Sequence, residues 1–408
     1  MTSTSLLSSQ NYVESPFIIA KIGNYTFGQA GASTLQGMKS VTYPNFMKSL
    51  NIVKVDGTIN TYTLQMVYQI RAGDDPNLLE RVFSSVADNW RIYLSYGDYN
   101  MPTNLYMDEE ALITGIDSNV DVVNSRITYV IRCTGAENSL KGTTYNFGGR
   151  MAKPSDVIKS LFANSQYGLS KVFSGITRGN INKYIAGDDA PVQIEPQTNM
   201  NVIDYMSYLV NCMTPYSNKG DSKLKGANYH LVFNNNKSSS TNGGATLQVV
   251  KIERLPSGNV PVGTYELDVG YPNDNFVTNF SVRNSQDYSI LYNTDATVKQ
   301  SEYVYKIGNN GEMGQFYAPS IIRSPSLYET SQEDRTWWTR MTEFPITVSV
   351  TIKGLLRPSL LMSYVKLNVL FFGQKHISSG LYVITQQEDT INANGYRTTL
   401  TLLRVDAD

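Results

Sequence analysis

Ile113-Thr114-Gly115-Ile116-Asp117-Ser118-Asn119-Val120-Asp121-Val122-Val123-Asn124-Ser125-Arg126-Ile127-Thr128-Tyr129-Val130-Ile131-Arg132 decides the reading of this chain, because it has a counterpart near the other end. The counterpart opens at Ile384-Thr385, passes through Asn394-Gly395 and closes as Tyr396-Arg397-Thr398-Thr399-Leu400-Thr401-Leu402-Leu403-Arg404. In both, β-branched and aromatic residues alternate with polar ones on either side of an Asn-centred turn, the pattern of an antiparallel hairpin. Two such hairpins in one chain predict a duplicated β unit.

Further matches keep the same order along the chain. Residues 50–54 and 61–68 alternate around Asp56-Gly57, a strong hairpin signal. Asp74-Asp75-Pro76 suits a helix start and predicts a helix through Val82. Asn45-Phe46 resembles Asn275-Phe276 at an offset of 230, and Thr63 resembles Thr347 at 284. Trp90 pairs with Tyr364 at 274, and Ile113 with Ile384 at 271. The jump from 230 to 284 predicts 54 extra residues in the second copy, an insertion at about 285–343. Between the copies, Pro154-Ser155-Asp156-Val157-Ile158-Lys159-Ser160-Leu161-Phe162 has helical spacing. So do residues 199–212, where Val202, Tyr205, Met206 and Leu209 share a stripe. Residues 229–233 and 245–252 read as strands.

The expected fold is α+β, mostly β: two related antiparallel β-barrel domains separated by a small α+β module. The domains run 41–145 and 271–408, the second carrying the insertion, with the module at 146–270. Residues 1–40, rich in Ser, Gly and Gln, read as an N-terminal arm that orders on a neighbour.

Composition narrows the function. Among 408 residues, 34 basic side chains meet 35 acidic ones, so no global field points to nucleic acid or an anionic membrane. The 28 tyrosines suit pleated sheets and large interfaces, where the ring gives area and the hydroxyl a hydrogen bond. No basic segment leads into an apolar run at the N-terminus, so no signal peptide is expected. The most apolar window, 365–372, contains Lys366 and is too short to span a bilayer, so no membrane partner is expected. Cys133 and Cys212 are expected as free thiols of a protein made in a reducing cytoplasm.

The search for chemistry returns little. His230 and His376 have no ligand-spaced neighbours. Asp74-Asp75, Asp188-Asp189 and Asp108-Glu109-Glu110 read as solvated turns and helix caps. The glycine loops at 242–244 and 308–311 lack the lysine and helix of a phosphate loop. No catalytic residue, cofactor or metal is expected. Trp337-Trp338, flanked by Arg335 and Arg340, is the conspicuous local feature. Packing or a protein interface is the expected role, since aromatic and Arg residues anchor interfaces. Stacking on sugar or nucleic acid is the other reading.

The order β unit, α+β module, β unit resembles the baseplate hub proteins of contractile phage tails. That superfamily includes late-control tail proteins and the N-terminal region of type VI secretion spike proteins. The likeness is carried by Tyr96-Gly97-Asp98, by Pro191-Val192-Gln193 leading into the helix at 201–212, and by the hairpin from Gly380-Leu381-Tyr382-Val383-Ile384 to Gly395-Tyr396-Arg397-Thr398-Thr399-Leu400. It implies a structural virion protein at the tail tip, made in the host cytoplasm and without enzymatic activity. It also implies a homotrimer whose two barrels per chain form a pseudo-six-fold ring. Such a ring joins the hexameric tail tube to the trimeric central spike around a channel that DNA crosses only in transit. Baseplate wedge or other tail proteins are further implied partners. The chain ends at Asp408 soon after the second hairpin, and no fused spike or lysozyme domain is expected. Two alternatives stay open: a tail-tip protein that binds or degrades cell wall, and the equivalent hub of a flexible tail or phage-like injection apparatus.

Overall fold

Asp56-Gly57 reverses the chain between two strands of alternating burial, and Gly57 takes the left-handed backbone (φ +68°) that the turn needs. The structure is a computed structural model. It describes residues 4–5, 13–28, 43–44, 46–85, 90–100, 106–213, 227–236, 244–253, 260–270, 277–284, 303–307, 313–317, 346–357, 359–376 and 378–407.

The chain opens with β1 (Thr4–Ser5), β2 (Pro16–Ile22), β3 (Tyr25–Gly28) and β4 (Tyr43–Pro44). A first unit follows: β5 (Met47–Val55), β6 (Thr61–Gln69), α1 (Leu78–Ser85), β7 (Arg91–Asp98), β8 (Tyr106–Asp121) and β9 (Arg126–Gly135). The middle holds β10 (Thr144–Phe147), β11 (Arg150–Ala152), α2 (Pro154–Ala163), α3 (Leu169–Val172), α4 (Ile181–Tyr184), β12 (Val192–Ile194), β13 (Gln197–Asn201), α5 (Val202–Asn211), β14 (Ala227–Asn234) and β15 (Thr246–Glu253). The rest is β16 (Tyr265–Val269), β17 (Val277–Asn284), β18 (Tyr303–Ile307), β19 (Met313–Tyr317), β20 (Ile346–Lys353), β21 (Tyr364–Phe371), β22 (Gln374–Lys375), β23 (Gly380–Asn392) and β24 (Gly395–Ala407). The fold is α+β and mostly β.

The two β units share one strand order. The first runs β5-β6-β9-β8-β7 across its sheet and the second β17-β20-β24-β23-β21, so each strand has a counterpart in sequence order. Irregularities recur at matching points. The bulge at Met47/Ser49 on β5 returns at Val277/Asn279 on β17, and that at Ile113/Gly115 on β8 returns at Ile384/Gln386 on β23. Those positions carry the offsets 230 and 271 read from sequence.

Two other offsets need correction. Ile92 pairs with Ala111 as Val365 pairs with Tyr382, which aligns β7 with β21 at 273 rather than 274. Ile92, Leu94, Val365 and Leu367 are then all fully buried, whereas the one-residue slip sets Arg91 against a core position. Leu64 opposite Leu50 matches Val350 opposite Phe280, an offset of 286 rather than 284. The extra segment therefore sits in a hairpin turn. Residues 56–60 join β5 to β6, while 285–345 join β17 to β20 and include the paired strands β18 and β19.

Among the described residues the pairings form an open path, and no pairing closes β7 onto β5 or β21 onto β17. The outer strands pair elsewhere: β7 with β2, and β21 with the parallel strand β16. Residues 16–28 are thus no arm. They form a hairpin around Gly23-Asn24 that buries Phe17, Ile18, Ala20, Ile22 and Phe27. The middle module packs α2 and α5 against β14 and β15 around Ile158, Leu161, Met206, Leu209, Phe233 and Leu247. Asn201 caps α5 by accepting from the Asp204 N–H at 2.9 Å, and Val202, Tyr205, Met206 and Leu209 are buried as their spacing predicts.

Gly354 ties the units together. Its N–H donates to the Tyr396 carbonyl at 2.7 Å, and its own carbonyl accepts from Val13 at 3.1 Å. An added Cβ meets the Tyr396 ring at 2.2 Å. Gly354→Ala is expected to cost roughly 1–3 kcal/mol, read as a lower urea midpoint with unchanged slope.

Candidate assembly seam

The two units join where β5 pairs antiparallel with β23, Leu50 opposite Ile391, Ile52 opposite Asp389 and Lys54 opposite Gln387. All six side chains are buried. On the other face, Asn51 Nδ2 donates to Glu388 Oε1 at 3.0 Å, and Thr390 Oγ1 donates to Asn51 Oδ1 at 3.1 Å.

A polar centre fills the buried side of this seam. Lys54 Nζ lies 3.4 Å from Glu109 Oε1, both side chains at 1% exposure or less. Tyr62 donates to Glu109 Oε2 at 2.6 Å and Tyr96 to Oε1 at 2.8 Å. Burial, then the Glu109 charge, pushes both phenols well above their ordinary range, so they remain neutral donors. Asn235 donates to Tyr62 Oη at 3.2 Å and to Glu137 Oε1 at 3.3 Å, which connects the middle module. From the second unit, Asp389 accepts from Gln387 Nε2 at 2.8 Å and Thr398 Oγ1 at 2.7 Å. Burial raises the Asp389 carboxyl, opposed by the charge of Lys54.

The second copy lacks this chemistry. The positions of Tyr62, Tyr96 and Glu109 are taken by Val348, Val369 and Gly380. Two sheet edges also stand open among the described residues. β17 pairs only with β20, and the second half of β8, from Gly115 to Asp121, pairs only with β9.

No protein-family model matches the sequence, and no curated protein matches it. Solved structures do match. A tail protein from Neisseria meningitidis MC58 superposes with a TM-score of 0.51 at 9% identity, over 95% of this chain and 96% of that one. The 43 kDa tail protein of prophage MuSo2 from Shewanella oneidensis gives 0.51 at 11% identity, over 97% and 100%. The fold is that of phage tail proteins.

Within this tail-protein fold the residues singled out by sequence fall apart. Trp337, Trp338, Arg335 and Arg340 lie outside the described residues. His230 Nδ1 is 2.7 Å from Asp56 Oδ2, tying β14 to the β5–β6 turn, and His376 Nδ1 is 2.7 Å from Ser378 Oγ. Asp74 and Asp75 organise a turn through the N–H groups of Arg71 and Asn77, as expected. The other acidic clusters are corrections. Glu109 and Glu110 sit in β8, both buried, with Arg91 paired to Glu110. Asp189 is fully buried and accepts from the Ser155 N–H at 2.9 Å at the start of α2. Asp188 pairs with Lys251 at 2.5 Å. Cys133 and Cys212 are free and buried, and burial pushes the Cys133 thiol up to about 12. Two open clefts in the middle module, one beside Lys159 and Arg178 and one beside Arg150 and Tyr205, are lined among the described residues by no carboxylate or histidine.

Lys54→Met strands the buried Glu109 carboxylate and is expected to cost about 3–5 kcal/mol. Changing Glu109 to Gln in the same chain should recover most of that loss in urea unfolding. Glu137 supplies a pH signature. Burial raises its carboxyl from 4.5 to about 7. Between those values the folded state binds more protons than the unfolded one. Stability therefore falls as pH rises through the window, by about 3 kcal/mol once above 7. Unfolding from pH 4.5 to 8 should show this slope, and Glu137→Gln should flatten it.

Proposed function

We propose that this chain is a structural virion protein, the baseplate hub at a phage tail tip. The observation that carries the reading is the duplicated β unit with one strand order, set in a fold that matches whole tail proteins. Three chains then supply six equivalent units, which suits a junction between a six-fold tail tube and a three-fold central spike. The ring surrounds a channel for genome passage, and its partners are tube protein, spike and the neighbouring baseplate proteins. The domain division 41–145, 146–270 and 271–408 belongs to this proposal, with β2 and β3 now added to the first unit. The role is non-enzymatic. Trp337, Trp338, Arg335 and Arg340 remain proposed interface anchors. No feature of the described residues favours the cell-wall reading.

The test is mass and shape. Light scattering on the purified full chain should give three times 45.5 kDa, and end-on images should show six lobes around a channel. A stable monomer at every concentration, or a position off the tail axis in the particle, sinks the proposal.

A further inference from the structure

The open edge of β17 and the open half of β8 are the two halves of a junction that the chain already makes once with itself. β5 lies on β23 from Leu50 opposite Ile391 to Val55 opposite Gln386. β17 is the counterpart of β5, and β8 the counterpart of β23, each anchored by a matching bulge. Carrying the internal register across, residue by residue, sets Phe280 opposite Val120, Val282 opposite Ser118 and Arg283 opposite Asp117.

The side chains at these positions agree with a missing neighbour. Leu50 and Ile52 are fully buried on β5, but their counterparts Phe280 and Val282 are only half-buried. Ile391 is fully buried on β23, whereas its counterpart Val120 is 58% exposed. Burying Phe280 against Val120 reproduces the Leu50–Ile391 contact of the internal seam. Arg283, exposed on β17, meets Asp117, exposed on β8 and paired within its own chain to Arg132. Opposite charges directly across a strand pair stabilise it and select the register.

The geometry points to β-sheet addition between copies of this chain: β17 of one chain pairs antiparallel with residues 116–120 of β8 in the next, with Arg283 facing Asp117. The contact is heterologous, one edge meeting a different edge, so it propagates from copy to copy, and the hub reading supplies the three-fold rotation that closes it as a ring. This inference rests on the hub reading and specifies the surface by which its subunits join.

The test uses the full chain carrying Ser118→Cys and Val282→Cys. Opposed strand positions lie about 4.5–5.5 Å apart at Cα, within disulfide reach. Cys133 and Cys212 are buried and do not compete. Mild oxidation should give covalent dimers and trimers from the double variant and none from either single variant. A trimer by mass that fails to cross-link, or one that Val282→Cys alone cross-links, overturns the edge pairing and leaves the hub reading standing. A monomer at every concentration overturns both. If the cysteine variant does not fold, Arg283→Asp provides the second measurement. It should weaken trimer assembly about tenfold, and Asp117→Arg in the same chain should restore it. Unchanged assembly in Arg283→Asp overturns the register.

Discussion

The Lys54–Glu109 pair is the interaction on which the rest of the structure depends. Two charges taken out of water at a sheet seam cost free energy unless every remaining lone pair and proton is satisfied. Here Tyr62 and Tyr96 of the first unit donate to Glu109, Asn235 of the middle module supports Tyr62, and the second unit adds the Asp389 charge, which attracts Lys54. Lys54, Glu109 and both phenols belong to the first unit, while the second unit adds the Asp389 charge and the middle module the Asn235 amide. The centre therefore fixes how the units sit together, a matter of specificity more than of net stability.

Its presence in one copy alone makes physical sense. An internal seam and an edge open to another copy have related backbones and compete for related strands. A buried ionic centre at the internal seam, against Val348, Val369 and Gly380 in the second unit, would make that seam chemically distinct from the proposed junction between copies. Pairing β5 with the wrong edge would keep Glu109 beside Lys54 but take away the Asp389 charge that β23 brings across the seam. Such a penalty discriminates between alternatives without strengthening the correct one.

Most of the β architecture was legible because alternation and turn chemistry are local. Asp56-Gly57, the 113–132 and 384–404 hairpins and the α5 stripe all fold where their spacing places them. The weaker offsets slipped by one and two residues because β7 and β21, or β6 and β20, share a pattern of burial and little identity. The β2–β3 hairpin has a local signal in Phe17-Ile18-Ile19-Ala20 before Gly23-Asn24, but the Ser and Gln around it dominate the composition. Three consecutive acids at 108–110 resemble a turn, although Glu109 lies buried within β8. The available signal was Lys54, Tyr62 and Tyr96 at core positions of alternating strands, polar groups that need a buried partner. Strand addition is a tertiary matter: nothing local in Val277–Asn284 distinguishes an edge from an interior strand.

The long connection from 285 to 345 has one more consequence. Closing a loop costs entropy only logarithmically in its length, so lengthening a hairpin turn this far barely burdens the sheet beneath it. The two units can thus keep a common scaffold while only one carries the extra chain. In the proposed ring of three chains, the equivalent turns would alternate short and long from unit to unit. The shared scaffold would then keep a pseudo-six-fold character while the added chain repeats three times, giving the proposed assembly elements of both symmetries.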